Sequence, residues 1–253
     1  MIDKLLKVDL IKKNPSYGIA LGIFFATIGL AFSTLIFKEN SSFPAVFLTT
    51  LAAAPILIRV MEEEKIKKDF ILNRHKKVIK IYSYLFFGMA IAFALWYTIL
   101  PENFSLILFE EQTQKFAAGY FTEPTQTFLS IIMNNIGLLF FFFLLSLFYG
   151  SGSIFLLTWN ASIMGVMWGN SIKATLALFN PSILIVNTLF ALPYLFPEVL
   201  AYFIAAIAGG IVAVNLKKKQ KLKLAMKDSL VLLGISIVMI VIAGVIETWI
   251  LAI

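Results

Sequence analysis

Apolar residues run along this chain in long blocks separated by short polar or charged stretches, without the strict alternation that marks half-buried strands. A block of about 20 apolar residues is the length of a helix that crosses a bilayer. Seven blocks meet that description: Tyr17–Phe37, Phe43–Val60, Val78–Leu100, Phe128–Tyr149, Ile154–Gly169, Pro197–Leu216 and Ser229–Leu251. The chain is apolar from Phe128 to Gly169, too long for one crossing, and Gly150-Ser151-Gly152-Ser153 supplies the turn that divides it. The pattern predicts an all-α fold, a polytopic transmembrane helical bundle of about seven spans.

One apolar piece does not fit. Pro181–Leu192 is too short to span and is followed by Leu192-Pro193-Tyr194-Leu195-Phe196-Pro197-Glu198. Each proline removes a backbone donor and disfavours helical angles in the residue before it. The spacing predicts a break at Pro193 and Pro197, with Pro197 opening a helix and Glu198 in its first turn, where the helix dipole favours a carboxylate. Pro181–Leu192 then becomes a re-entrant segment that dips in from the outer face and returns.

Charge decides the orientation. All but Lys38, Lys115 and Lys173 of the 21 lysines and arginines fall in three stretches: Lys4–Lys13, Arg59–Lys80 and Lys217–Lys227. The positive-inside rule places all three in the cytoplasm, facing an anionic inner leaflet, with the N-terminus inside and the C-terminus outside. A full crossing by Pro181–Leu192 would put the last stretch outside. The net charge of +7 is therefore spent on topology and gives no nucleic-acid footprint. The Met1–Lys13 tail, with lysines interleaved among Ile2, Leu5, Leu6, Leu10 and Ile11, reads equally as a surface-lying helix or a solvated tail. The first block is too long for the core of a cleaved signal peptide and is expected to remain as a span. The domains expected are an N-terminal extension, residues 1–64, carrying the tail and a two-span hairpin, and a membrane domain over residues 65–253.

Composition excludes much chemistry. There is no cysteine and a single histidine, His75, in a lysine-rich stretch expected to be a loop. Zinc sites and histidine-dependent triads lack their residues, no phosphate-binding glycine loop is present, and a non-enzymatic protein with no cofactor is expected. Two acids, Glu198 and Glu247, lie inside apolar blocks, and the topology puts both near the outer ends of their spans. Asn134 and Asn135, six or seven residues into their span, share that outer half; Asn187 would join them, and Asn160 lies deeper. A charge at the bilayer centre costs about 2.5–3.5 kcal/mol on insertion scales, and a shallower one less. Two such costs predict that Glu198 and Glu247 meet, sharing a proton or a cation, with the asparagine amides as donors. The opposing readings are equally concrete: a helix-start acid at Glu198, an interfacial acid beside Trp249 at Glu247, and packing hydrogen bonds at the asparagines. The Ala201, Ala205, Gly209, Ala213 stripe and the Gly165/Gly169 pair are close-packing surfaces.

Several features recur together: Asn134-Asn135 opening a span, the glycine-rich turn, Trp159-Asn160 with Gly165, the Leu192-Pro193…Glu198 stretch, and Ile246-Glu247 near the end. In this order and spacing the chain resembles the stage II sporulation protein M family, over about Ile79 to Ile253. Members commonly carry His-Gly after the proline, where this chain has Tyr194-Leu195. The resemblance implies a multi-helix membrane protein whose best-known relatives work with cell-wall-degrading partners during spore engulfment. The family also occurs far outside spore formers, and the resemblance supplies no settled molecular activity. Two function classes follow: a scaffold recruiting membrane or envelope partners, and a transporter or channel using Glu198, Glu247, Asn134, Asn135 and Asn160. A second copy of the chain stays open as a partner in either.

Overall fold

The computed structural model describes residues 8–37, 41–63, 71–114, 128–149, 153–218 and 222–251. Those residues are helical nearly throughout, with no strand among them. In order they form α1 (Val8–Lys13), α2 (Tyr17–Phe37), α3 (Ser42–Glu62), α4 (Ile71–Ile99), the short α5 (Glu102–Leu108), α6 (Phe128–Tyr149), α7 (Ser153–Leu178), α8 (Ser182–Lys218) and α9 (Leu222–Leu251). The expected turn at Gly150-Ser151-Gly152, the segment 115–127, the start of the tail and residues 219–221 of the last basic stretch lie outside the described residues.

Six of these helices are long and apolar enough to cross a membrane. Besides the short α1 and α5, the exception is α7, which carries Asn160, Asn170 and Lys173 yet is 26 residues long, about 39 Å. Its neighbours show that it runs the length of the bundle as well. Phe142 stacks on Tyr202 and Gly209 abuts Phe143 and Leu147, so α6 and α8 run parallel. The helix that joins them in sequence must traverse the bundle in the opposite direction. A polar helix can do so here because neighbours enclose it: Ser153, Thr158, Ser162 and Ser171 are all buried.

Helices α2, α4 and α7 form a layer of parallel helices set at backbone distance. Gly22 faces the carbonyl of Leu85 and the amide of Met89, and Gly88 faces the backbone of Ile19. On the other face of α4, a Cβ at Gly165 would stand 2.9 Å from the Ala90 carbonyl and 2.5 Å from the Phe93 Cβ. Without side chains at these points the helices approach closely, as dispersion-driven packing in lipid requires. Helix α3 returns antiparallel to α2, with Gly29 against Thr49 and Ala45.

The proline break does not form. Helix α8 is continuous over 37 residues and holds Pro193 and Pro197 inside it. The physical reason is the four-residue spacing. Pro193 leaves the Leu189 carbonyl without its usual donor, and Pro197 does the same to Pro193, so both losses fall on one face and the rest of the ladder is intact. Pro181–Leu192 is thus the opening of a long helix, tied to α7 by Asn187 Nδ2 donating to Ser171 Oγ (3.0 Å) and Leu184 N donating to Thr175 Oγ1 (3.1 Å). Doubling back happens elsewhere. Beyond Pro101 the chain reverses along α4, placing Phe109 against Tyr97 (5.5 Å between ring centroids) and Phe93 (6.2 Å). Gln112 then reaches two partners at once, accepting from Ser42 Oγ (2.6 Å) and donating to Ser162 Oγ (3.1 Å).

The three basic stretches converge on one end of the bundle. Lys217 pairs with Glu62 (3.7 Å), and Lys12 pairs with Glu63. Ile11 is buried there, so the last turn of the tail docks against the helices. His75, expected in a loop, is completely buried in α4, 3.6 Å from Asp228 of α9. We call this the basic end and the opposite one the far end.

Candidate functional site

Because α8 runs through its prolines, Glu198 is not a helix-start acid. Sixteen residues of the same helix precede it, and it lies near the middle of the bundle instead of at an outer end. Two contacts fix that depth. Phe86 meets Phe203 (5.1 Å), which sets Glu198 about five residues, roughly 7.5 Å, farther from the basic end, level with the middle of the apolar part of α4. Phe142 on Tyr202 (5.0 Å, planes 6° apart) gives the same answer on α6, near its midpoint.

Glu198 is half-buried, and its Oε1 accepts a hydrogen bond from Tyr202 OH at 2.8 Å, one turn along α8. Tyr202 is buried beneath Phe142. Glu247 of α9, also half-buried, comes near enough for its charge to act on Glu198 and on Tyr202. Helices α8 and α9 pack along their length, which brings these sequence-distant acids onto one seam. Among the described residues no lysine or arginine stands at the depth of Glu198: α2 and α6 have none, those of α8 begin at Lys217, and Lys173 of α7 lies farther along, against Leu100 and Ser105. Among the described residues, no three His, Asp or Glu side chains are grouped to hold a metal ion.

The asparagines divide. Asn135 is buried, and the stacking register puts it about a turn from the level of Glu198, toward the far end. Asn134 is exposed and spends an amide proton on Asn135 Oδ1 (3.2 Å). Asn160 donates to the Leu156 carbonyl of its own helix (2.8 Å). The structure therefore brings Glu198, Glu247 and Asn135 into one region, and leaves Asn134 and Asn160 in local bonds.

Sequence reasoning missed four residues that organise the molecule. Tyr202 was signalled by its i+4 spacing from Glu198. Gln112 and His75 sat in stretches too polar to read as buried. Lys173 carried no signal at all; its Nζ donates to the Leu100 carbonyl (3.1 Å) and Ser105 Oγ (2.9 Å) and lies 4.8 Å from the centre of the Tyr97 ring, fastening the reversed segment to α7.

The model of the family described as stage II sporulation protein M matches residues 83–250. No curated protein and no solved structure matches the chain. The matched region takes in most of α4, all of α6, α7 and α8, and nearly all of α9, and so every residue of the carboxylate cluster. Matched over well more than half its length, this multi-pass membrane protein belongs to the stage II sporulation protein M family.

Proposed function

We propose that this non-enzymatic membrane protein binds a proton or a monovalent cation at Glu198 and Glu247, as the working site of a transport step across the membrane. The observation that carries the reading is Glu198 itself: a carboxylate midway through the bundle, held by Tyr202, with a second acid, Glu247, on the neighbouring helix and, among the described residues, no basic residue at its depth. Ionisable side chains in that position are costly, and they are retained where an ion or proton uses them.

A scaffold that recruits membrane or envelope partners is the second reading. What favours it is the α2–α4–α7 layer, whose glycine contacts make a stiff platform. In that reading the N-terminus and the basic end face the cytoplasm, as the charge distribution supports, and the carboxylates are structural. Purified protein in vesicles carrying a pH-sensitive dye separates the two. Transport through this site predicts ion-dependent pH change that Glu198→Gln abolishes and Glu247→Gln reduces. Equal traces from wild type and both variants would leave the scaffold reading standing.

A further inference from the structure

Helix α6 stands at the edge of the bundle. Of the six apolar helices it is the least enclosed, with 17% of its apolar window buried against 33% or more in each of the others. One face packs on its neighbours, through Ile132 against Gly244, Phe142 on Tyr202 and Ser146 beside Ser153. The opposite face is bare along the whole helix. Ser130, Asn134, Gly137, Phe141, Leu144 and Phe148 are all exposed, and their spacing alternates four and three. That is the rhythm of a seam between two helices packed at a shallow angle. A Cβ at Gly137 would meet nothing within 4 Å, so the seam has room for a side chain from across.

Lipid suits most of that face, but not Asn134. It lies six residues into a 22-residue helix, about 9 Å from the end, and the helix is just long enough to cross the hydrocarbon. An asparagine side chain is too short to reach the interface from there. One amide proton goes to Asn135 Oδ1 (3.2 Å). Among the described residues nothing accepts the other proton, and nothing donates to the Asn134 carbonyl oxygen. Facing hydrocarbon, both would go unsatisfied. Helix α9 supplies the contrast. Val231, Gly234, Val238, Val241 and Val245 are exposed there in the same rhythm, with nothing polar among them, and lipid alone can cover them.

A second copy of the chain necessarily carries a matching group at the matching depth. Because the lysines gather at the basic end, every copy inserts the same way round. A two-fold axis along the bilayer normal then sets α6 against α6, with Asn134 opposite Asn134. Each carboxamide has a proton to give and an oxygen to receive one, so the pair closes on itself, and α6 has no charged residue to oppose the approach. We infer that two copies of this chain associate in the membrane through the exposed face of α6, with Asn134 of each donating to the Asn134 carbonyl of the other. Phe141, Leu144 and Phe148 pack along the same seam. The inference holds whether or not Glu198 binds an ion.

The chain has no cysteine, so single-cysteine variants report contacts without background. The test places Phe141→Cys, Leu144→Cys and, on α9, Val238→Cys separately in vesicles that hold only the purified chain, at a low protein-to-lipid ratio, and treats them with copper phenanthroline. The two α6 variants are expected to form a disulfide-linked species of twice the chain mass, and the α9 variant at least about tenfold less of it. Adding Asn134→Leu to Leu144→Cys is expected to lower the linked fraction about tenfold, as loss of the paired hydrogen bonds requires, while Asn134→Gln, which keeps donor and acceptor, lowers it less. Asn134 is exposed, so neither change disturbs the core, and a monodisperse peak in detergent checks this. Monomers throughout would mean that lipid or residues 115–127 cover the face, and would overturn the inference. So would equal linking through α9, linking unchanged by Asn134→Leu, or, in whole membranes, linking of the α6 cysteines to a chain of different mass in place of a second copy.

Discussion

The two sides of the bundle are built on different rules. In the α2–α4–α7 layer, glycines stand against backbone atoms: Gly22 against Leu85, Gly88 against Ile19, Gly165 against Ala90. On the side formed by α6, α8 and α9 one glycine does the same, Gly209 against the Phe143 carbonyl and the Leu147 amide, but the other contacts are made through larger side chains, with Phe142 stacked on Tyr202 and Gly244 meeting the flexible end of Ile132. Two glycines there, Gly137 of α6 and Gly234 of α9, have nothing near them at all. Only the second side carries an acid at mid-depth, Glu198. The comparison teaches that backbone-to-backbone contact is concentrated in the layer that has no acid at mid-depth, while the surroundings of Glu198 are packed mainly through side chains.

The largest effect should come from breaking the tight layer. Gly88→Val or Gly22→Val drives a branched side chain into backbone that cannot give way, and is expected to cost about 3 kcal/mol or more, read as loss of the monodisperse peak and of the thermal transition in detergent. A variant that unfolds like wild type would refute backbone-distance packing there.

Next is the site. Tyr202→Phe removes the donor to Glu198 and leaves the Phe142 stack in place, an expected loss of about 1–3 kcal/mol of unfolding free energy for a bond to a carboxylate. Because the acid itself remains, flux should be slowed and not abolished, in contrast with Glu198→Gln. Identical stability and flux in Tyr202→Phe would mean that the bond is incidental.

Smaller still is the effect of the prolines. Since α8 is already continuous, Pro193→Ala should restore a bond to Leu189 and raise stability by about 1 kcal/mol, followed by thermal unfolding. A marked loss of folding would mean that the break read from the sequence is real and needed. Smallest of all, Gly137→Ala and Gly234→Ala meet open space and should each stabilise the protein by up to about 1 kcal/mol, against the large cost at Gly88.

Much of this was legible before any coordinates. The apolar blocks marked where the long helices lie, closely for α2, α3 and α6, while α4 and α9 begin seven residues earlier, α7 ends nine later and α8 begins fifteen earlier; nothing but a helix satisfies a lone backbone segment in lipid. Glu198 and Glu247 stood out because charge inside an apolar block is rare. What failed was depth. Local rules for proline apply residue by residue, and they concealed that two prolines four apart harm one face only. Taking the break as real put Glu198 at an outer end and made a re-entrant segment of Pro181–Leu192, while the chain that truly doubles back, from Glu102 to Gln112, looked like an ordinary polar loop. His75 illustrates the same limit of local reading: its lysine neighbours announced solvent, yet it is buried in α4 beside the sequence-distant Asp228.

The most direct measurement is infrared absorption by carboxyl groups in the purified protein, wild type against Glu198→Gln, while pH and the concentration of sodium or potassium are varied. The account predicts a protonated-carboxyl band in wild type that responds to these changes and is missing from the variant. Indistinguishable spectra from the two proteins would contradict it.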